Sequence, residues 1–129
     1  MFEQSCYQIP DDHKDWASAE NDCVQKGGHL ASIHSKEEND FLLRLVGSGP
    51  ISSPVSIIGG KVKIDQSFFW TDGTEFDYSN WQLGQPQRPY GTQNCIGLLP
   101  GGEVADGTWI LDGCVNSHKY ICKKAFEGN

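Results

Sequence analysis

Five cysteines, at positions 6, 23, 95, 114 and 122, constrain this 129-residue chain more than any other feature. No two of them have the CxxC spacing of a structural zinc site or a redox motif, which leaves disulfide formation as their leading use. That use implies an oxidising compartment, and so a secreted, extracellular protein. Spacing alone does not rank the possible pairings, and an odd count leaves one cysteine over.

The length fits one domain over residues 1–129, large enough to bury a core. With 15 Gly and 6 Pro, much of the chain is expected in turns and loops. The net charge of -7 sets up a field that repels phosphate backbones and anionic lipid, which argues against nucleic acid and membrane surfaces as partners. No apolar run approaches the roughly 20 residues of a membrane span. The opening Met1-Phe2-Glu3-Gln4-Ser5 has neither a basic start nor an apolar stretch and does not read as a secretory signal.

Trp16, Ala19 and Cys23 form one apolar stripe of a short helix, with Asp12 or Asp15 to cap it and Gly27-Gly28 to end it. Leu30-Ala31-Ser32-Ile33 reads as a short strand. Ser35-Lys36-Glu37-Glu38 is a capping box that opens a second helix, with Phe41, Leu42, Leu45 and Val46 on its buried face and Gly47 as its stop. Strand character follows at 55–58, closed by Gly59-Gly60, and at 68–70, closed by the Asp72-Gly73 turn. Residues 71–93 show no sustained periodicity, and a loop that long inside a compact domain is often functional. Strands return at 95–99, 108–111 and 120–122. Helices first, then short strands with a long irregular insertion, predict an α+β fold with a mostly antiparallel sheet.

These residues resemble a known family. Trp16-Ala17-Ser18-Ala19-Glu20-Asn21-Asp22-Cys23 with Gly28-His29-Leu30-Ala31-Ser32-Ile33 is similar to the opening of a C-type lectin-like domain. Ile57-Ile58-Gly59, Phe69-Trp70-Thr71-Asp72-Gly73, Tyr78-Ser79-Asn80-Trp81, Asn94-Cys95, Trp109, Cys114 and Tyr120-Ile121-Cys122 continue it in order. The likeness covers about residues 6–124. It implies disulfides Cys23–Cys122 and Cys95–Cys114, both structural. Cys6 is then a free thiol or a link between two chains, since longer members pair a cysteine here with one further upstream.

Sugar-binding members of that family work through calcium, a hard cation that takes six to eight oxygen ligands, with carboxylates to neutralise it. The resemblance implies Glu-Pro-Asn or Gln-Pro-Asp, a Glu before the loop cysteine, and Trp-Asn-Asp. This chain has Gln85-Pro86-Gln87, Gln93 before Asn94-Cys95, and Trp109-Ile110-Leu111. The frame is kept and its carboxylates are gone. Asp112 stands one residue past the required place. An auxiliary site near 61–66 retains only Asp65 among Lys61, Val62, Lys63 and Ile64. No metal and no cofactor is therefore expected. Gln85, Gln87, Arg88, Gln93, Asn94 and Trp109 remain as candidate ligand contacts, with Gln82, Trp81 and Tyr90 beside them.

Catalytic readings are weak. His13, His29, His34 and His118 form no helical i, i+4 ligand pair, and structural or surface roles suit them better. A Cys6 nucleophile has nothing strongly basic near it in sequence. The chain is expected to be a secreted glycan-recognition domain, not an enzyme, working without calcium or with only weak calcium binding. The alternative is a protein-recognition module of the same fold, with an extracellular protein as its partner.

Overall fold

The computed structural model describes residues 2–47, 55–85, 93–99 and 107–126. Elements follow in the order β1 (Ser5–Gln8), α1 (Trp16–Gln25), β2 (His29–Leu30), α2 (Lys36–Gly47), β3 (Ser56–Val62), β4 (Phe68–Trp70), β5 (Gln93–Leu98), β6 (Trp109–Gly113), β7 (Lys119–Tyr120) and β8 (Cys122–Ala125). One sheet has three strands in the order β1-β8-β2, all antiparallel. The other runs β4-β3-β5-β6, also antiparallel, with β7 lying parallel on β3. The architecture is α+β, as the order of periodicities implied.

Asp15 caps α1 by accepting from the Ser18 main-chain N–H at 2.9 Å. Trp16, Ala19 and Cys23, three and four residues apart, turn one face of that helix into the core. Gly27, at φ +95°, takes the left-handed turn that ends it. At α2 the box is modified. Ser35 Oγ accepts from the Glu38 N–H at 3.0 Å, but the Glu38 carboxylate reaches past the cap to the His34 N–H at 2.8 Å. Of the expected stripe only Leu42 is fully buried; Phe41, Leu45 and Val46 pack on the core from its margin.

Residues 31–33 are not the strand expected of them, because they cross between the two sheets. Ala31 donates to Ile121 O at 2.9 Å and its own carbonyl accepts from Gly59 N–H at 2.8 Å. The expected strand at 120–122 likewise breaks at Ile121, so that β7 joins the larger sheet and β8 the smaller. Nor do the two glycines close β3. A side-chain carbon at Gly59 would lie 2.6 Å from the Leu30 carbonyl oxygen, and one at Gly60 would lie 2.4 Å from Ile96 Cδ1. Glycine lets the strand continue where backbone and core approach too closely for any side chain.

The core has two adjoining parts. Ile33, Leu42, Ile58, Trp70, Ile96, Trp109 and Ile121 fill the larger, and Trp16, Ala19, Leu30, Ile57 and Tyr120 surround Cys23 in the smaller. Cys23 is bonded to Cys122 and Cys95 to Cys114, with Cα–Cα separations of 5.3 and 5.2 Å. The first ties α1 to β8, and the second holds β5 to the turn after β6. Cys6 is a free, half-buried thiol opposite Lys124.

Candidate functional site

The stretch entering the long loop is laid against β6 by main-chain bonds. Trp109 N–H donates to Asn80 O at 2.8 Å, and Gln82 N–H donates to Trp109 O at 2.9 Å. Asn80 and Asn39 both donate their side-chain amides to Gly107 O at 2.9 Å. Gln85 N–H closes a turn onto Gln82 O at 2.8 Å, with Gly84 at φ +89° and Leu83 fully exposed at the tip.

Trp109 requires a correction. A candidate ligand contact in the sequence, it is fully buried, and its indole N–H donates to Asn39 Oδ1 at 2.8 Å. Trp70, Trp81, Phe76 and Tyr78 pack against its ring at centroid distances of 5.5, 5.7, 6.2 and 5.8 Å. It is the floor under Phe76, Tyr78 and Trp81 and has no surface to offer a ligand. Trp81 is half-buried in the same aromatic group.

Gln85 lies where a ligand residue was expected, but its side-chain Oε1 accepts from the Leu111 N–H at 3.4 Å, a long bond. Asn94 is half-buried at the bulge where Gln93 faces Gly113 and Cys95 faces Asp112. Gln93 is the first residue of β5. Its side chain, together with Gln87, Arg88 and Tyr90, lies outside the described residues. Asp112 is engaged elsewhere: its carboxylate accepts from His118 Nε2 at 2.7 Å and Asn116 Nδ2 at 3.0 Å. At the auxiliary position Asp65 folds onto its own turn, accepting from Ser67 N–H at 3.0 Å and Ser67 Oγ at 2.5 Å, which lowers its carboxyl below the ordinary range. Lys61 and Lys63 stand over the rings of Trp16 and Phe69. Among the described residues no three His, Cys, Asp or Glu side chains group as metal ligands.

A second polar cluster, at the root of the same stretch, was not read from the sequence. Buried Ser32 donates to Asp72 Oδ2 at 2.5 Å, and Thr74 donates its hydroxyl to Asp72 Oδ1 at 2.5 Å. Burial pushes the Asp72 carboxyl up, but these donors, the Thr74 N–H and Lys123 together outweigh it, and the net direction is down. His34 Nδ1 lies 2.7 Å from Asp77 Oδ1, and Nε2 lies 3.2 Å from Ser32 Oγ and 2.9 Å from Thr74 Oγ1. Lys123 donates to Glu38 Oε2 at 2.6 Å and to Ser32 O at 3.1 Å. Tyr7 OH also donates to Glu38; desolvation, then that bond, raise its pKa. The cluster's bonds reach across as many as 91 positions, and only the Asp72-Gly73 turn and the capping box hint at it in the sequence.

Asp77, His34 and Ser32 share the order of a hydrolytic triad, but not its chemistry. Ser32 is fully buried and commits its hydrogen to Asp72, so His34 has no proton to take from it. His29 engages a different carboxylate, Glu20, at 2.7 Å. Both histidines are structural.

Residues 12–124 match the Lectin C-type domain family. A lectin of Pleurodeles waltl is 37% identical over 92% of this chain and 69% of its own length. Ladderlectin of Oncorhynchus mykiss is 41% identical over 74% of this chain and 51% of its own. The chain thus spans about half to two thirds of these relatives. Among solved structures, a calcium-independent type II antifreeze protein superposes with a TM-score of 0.83 at 34% identity, over 97% of this chain and 89% of its own. With the family match running over most of its length, the chain belongs to the C-type lectin domain family and, like the lectins it is similar to, is not an enzyme.

Proposed function

We propose that the chain is a secreted glycan-recognition domain that binds without calcium, or with calcium held only weakly. The missing carboxylates carry this reading: Gln85 offers one neutral amide oxygen, which accepts a long bond from the Leu111 N–H at 3.4 Å, and no charge to neutralise a cation. Beside it Ile110 and Leu111 supply no side-chain oxygen, and Asp112 is tied to His118 and Asn116. The lectin relatives support sugar as the ligand. Two disulfides fit an extracellular setting. Gln85, Gln87, Arg88, Gln93 and Asn94 are the proposed contacts, as neutral amides and a guanidinium that donate to and accept from sugar hydroxyls.

The second reading has the same loop dock on an extracellular protein, with Leu83, fully exposed at the tip of the 82–85 turn, as one contact. A glycan array run with and without EDTA separates the two. Binding that survives EDTA supports the first; binding abolished by EDTA refutes its calcium independence. No glycan binding at all favours the second.

A further inference from the structure

We propose that His34 stands in the folded chain as an imidazolium ion and, in that state, straps the root of the 71–85 stretch to the start of α2. The strap is tight in acid and loosens in base. Hydrogen accounting carries this. A hydroxyl has one hydrogen to give, and Ser32 and Thr74 both give theirs to Asp72, at 2.5 Å each. Towards His34 Nε2, at 3.2 and 2.9 Å, the two oxygens have only lone pairs left. Nε2 must therefore donate. Nδ1 faces Asp77 Oδ1 at 2.7 Å, and a hydrogen bond from His34 is the chief reason that carboxyl is held below the ordinary range. An ionised carboxylate only accepts, so Nδ1 must donate as well. Both ring nitrogens then carry hydrogen, which is the cation.

The surrounding charges agree. Asp72 and Asp77 face the ring from the 71–85 stretch. Glu38 of α2 accepts the His34 main-chain N–H at 2.8 Å, and Lys123 of β8 is the opposing cation, 3.3 Å from Ser32 Oγ. Tyr7 of β1 lies behind Glu38, and Trp70 meets the ring edge at 6.2 Å. Three carboxylates against one ammonium favour a positive ring. Losing either proton turns a lone pair on an acceptor, at the two hydroxyls or at Asp77, and one side of the strap is lost. Histidine is the side chain that changes charge near neutral pH, so this loosening is a pH response.

Long-range proton–nitrogen NMR of the histidine rings, on the whole chain with both disulfides intact, tests it from about pH 5 upward. At neutral pH both His34 ring nitrogens should carry hydrogen. As the ring loses one, exchange of the Thr74 amide, corrected for intrinsic pH dependence, should rise on the order of tenfold, the worth of one hydrogen bond to a charged group. Asp77→Asn, at an exposed side chain, should move that step to lower pH. A neutral His34 tautomer at neutral pH, or ring titration that leaves Thr74 exchange unchanged, overturns the proposal. The readout does not involve a ligand, so it stands apart from the fate of the glycan reading.

Discussion

Removing either half of the Glu38–Lys123 pair should cost far more than removing both in proportion. The two side chains are only 5% and 14% exposed and meet at 2.6 Å. Glu38→Leu leaves the buried ammonium without its direct partner and with only the more distant Asp72 as an anion, and Lys123→Met leaves the buried carboxylate without a cation, each a loss of about 3–5 kcal/mol. The double variant strands no charge. Its remaining penalties are the Tyr7 hydroxyl and the His34 N–H, which lose an acceptor at about 1–3 kcal/mol each if they find no other. At mid-range, with about 4 kcal/mol for each single loss and about 2 kcal/mol for each stranded donor, the single losses together should exceed the double loss by about 4 kcal/mol, a coupling above the usual range for contacting residues. Equilibrium urea unfolding with the disulfides intact, followed by tryptophan fluorescence, measures all four corners of the cycle. Single variants that each cost less than about 1 kcal/mol, or losses that simply add, refute the reasoning.

Other expectations follow from named contacts. Gly59→Ala drives a methyl onto the Leu30 main-chain oxygen and should cost about 1–3 kcal/mol in the same assay, more than Gly60→Ala, where the obstacle is the movable end of Ile96. Asn39→Leu should cost about 1–3 kcal/mol by stranding the buried Trp109 N–H, with a blue-shifted or broadened tryptophan emission as its local signature. Tyr7 and Tyr120 both have pKa values raised by desolvation first and then by hydrogen bonds to Glu38 and Asp22. A phenol raised in the folded state contributes stability in full below its unfolded pKa of about 10 and loses it as pH climbs above that. Phenolate absorbance from these two side chains should thus appear only together with loss of the circular-dichroism signal; phenolate formation in an intact fold would contradict it.

Much of the fold is legible because local chemistry and long-range packing agree. Asp15 before Trp16-Ala19-Cys23 announces α1, and Ser35 with Glu38 announces α2. What escapes is decided by other parts of the chain. Ser5–Gln8 carries no strong alternation and becomes a strand through its partner β8. Residues 31–33 have strand composition but spend their main-chain groups joining the sheets, and Gly59-Gly60 look like an end where close approach makes them a continuation. At the candidate site, the loss of acids is visible in the sequence, whereas the turning of Gln85 onto Leu111 is not. Trp109 was legible as a motif residue but misassigned as a contact, because a motif does not say which face an aromatic ring presents. The His34 cluster joins positions up to 91 apart, and only the Asp72-Gly73 turn and the capping box leave a local trace of it.

Titrating the chain with calcium in a calorimeter, up to about 1 mM, the weak limit for extracellular calcium modules, probes the proposed mode of recognition most directly. With no acid left at the motif positions and Gln85 already bonded, the heats should remain those of dilution. A saturable one-to-one isotherm that Gln85→Ala abolishes would contradict the account.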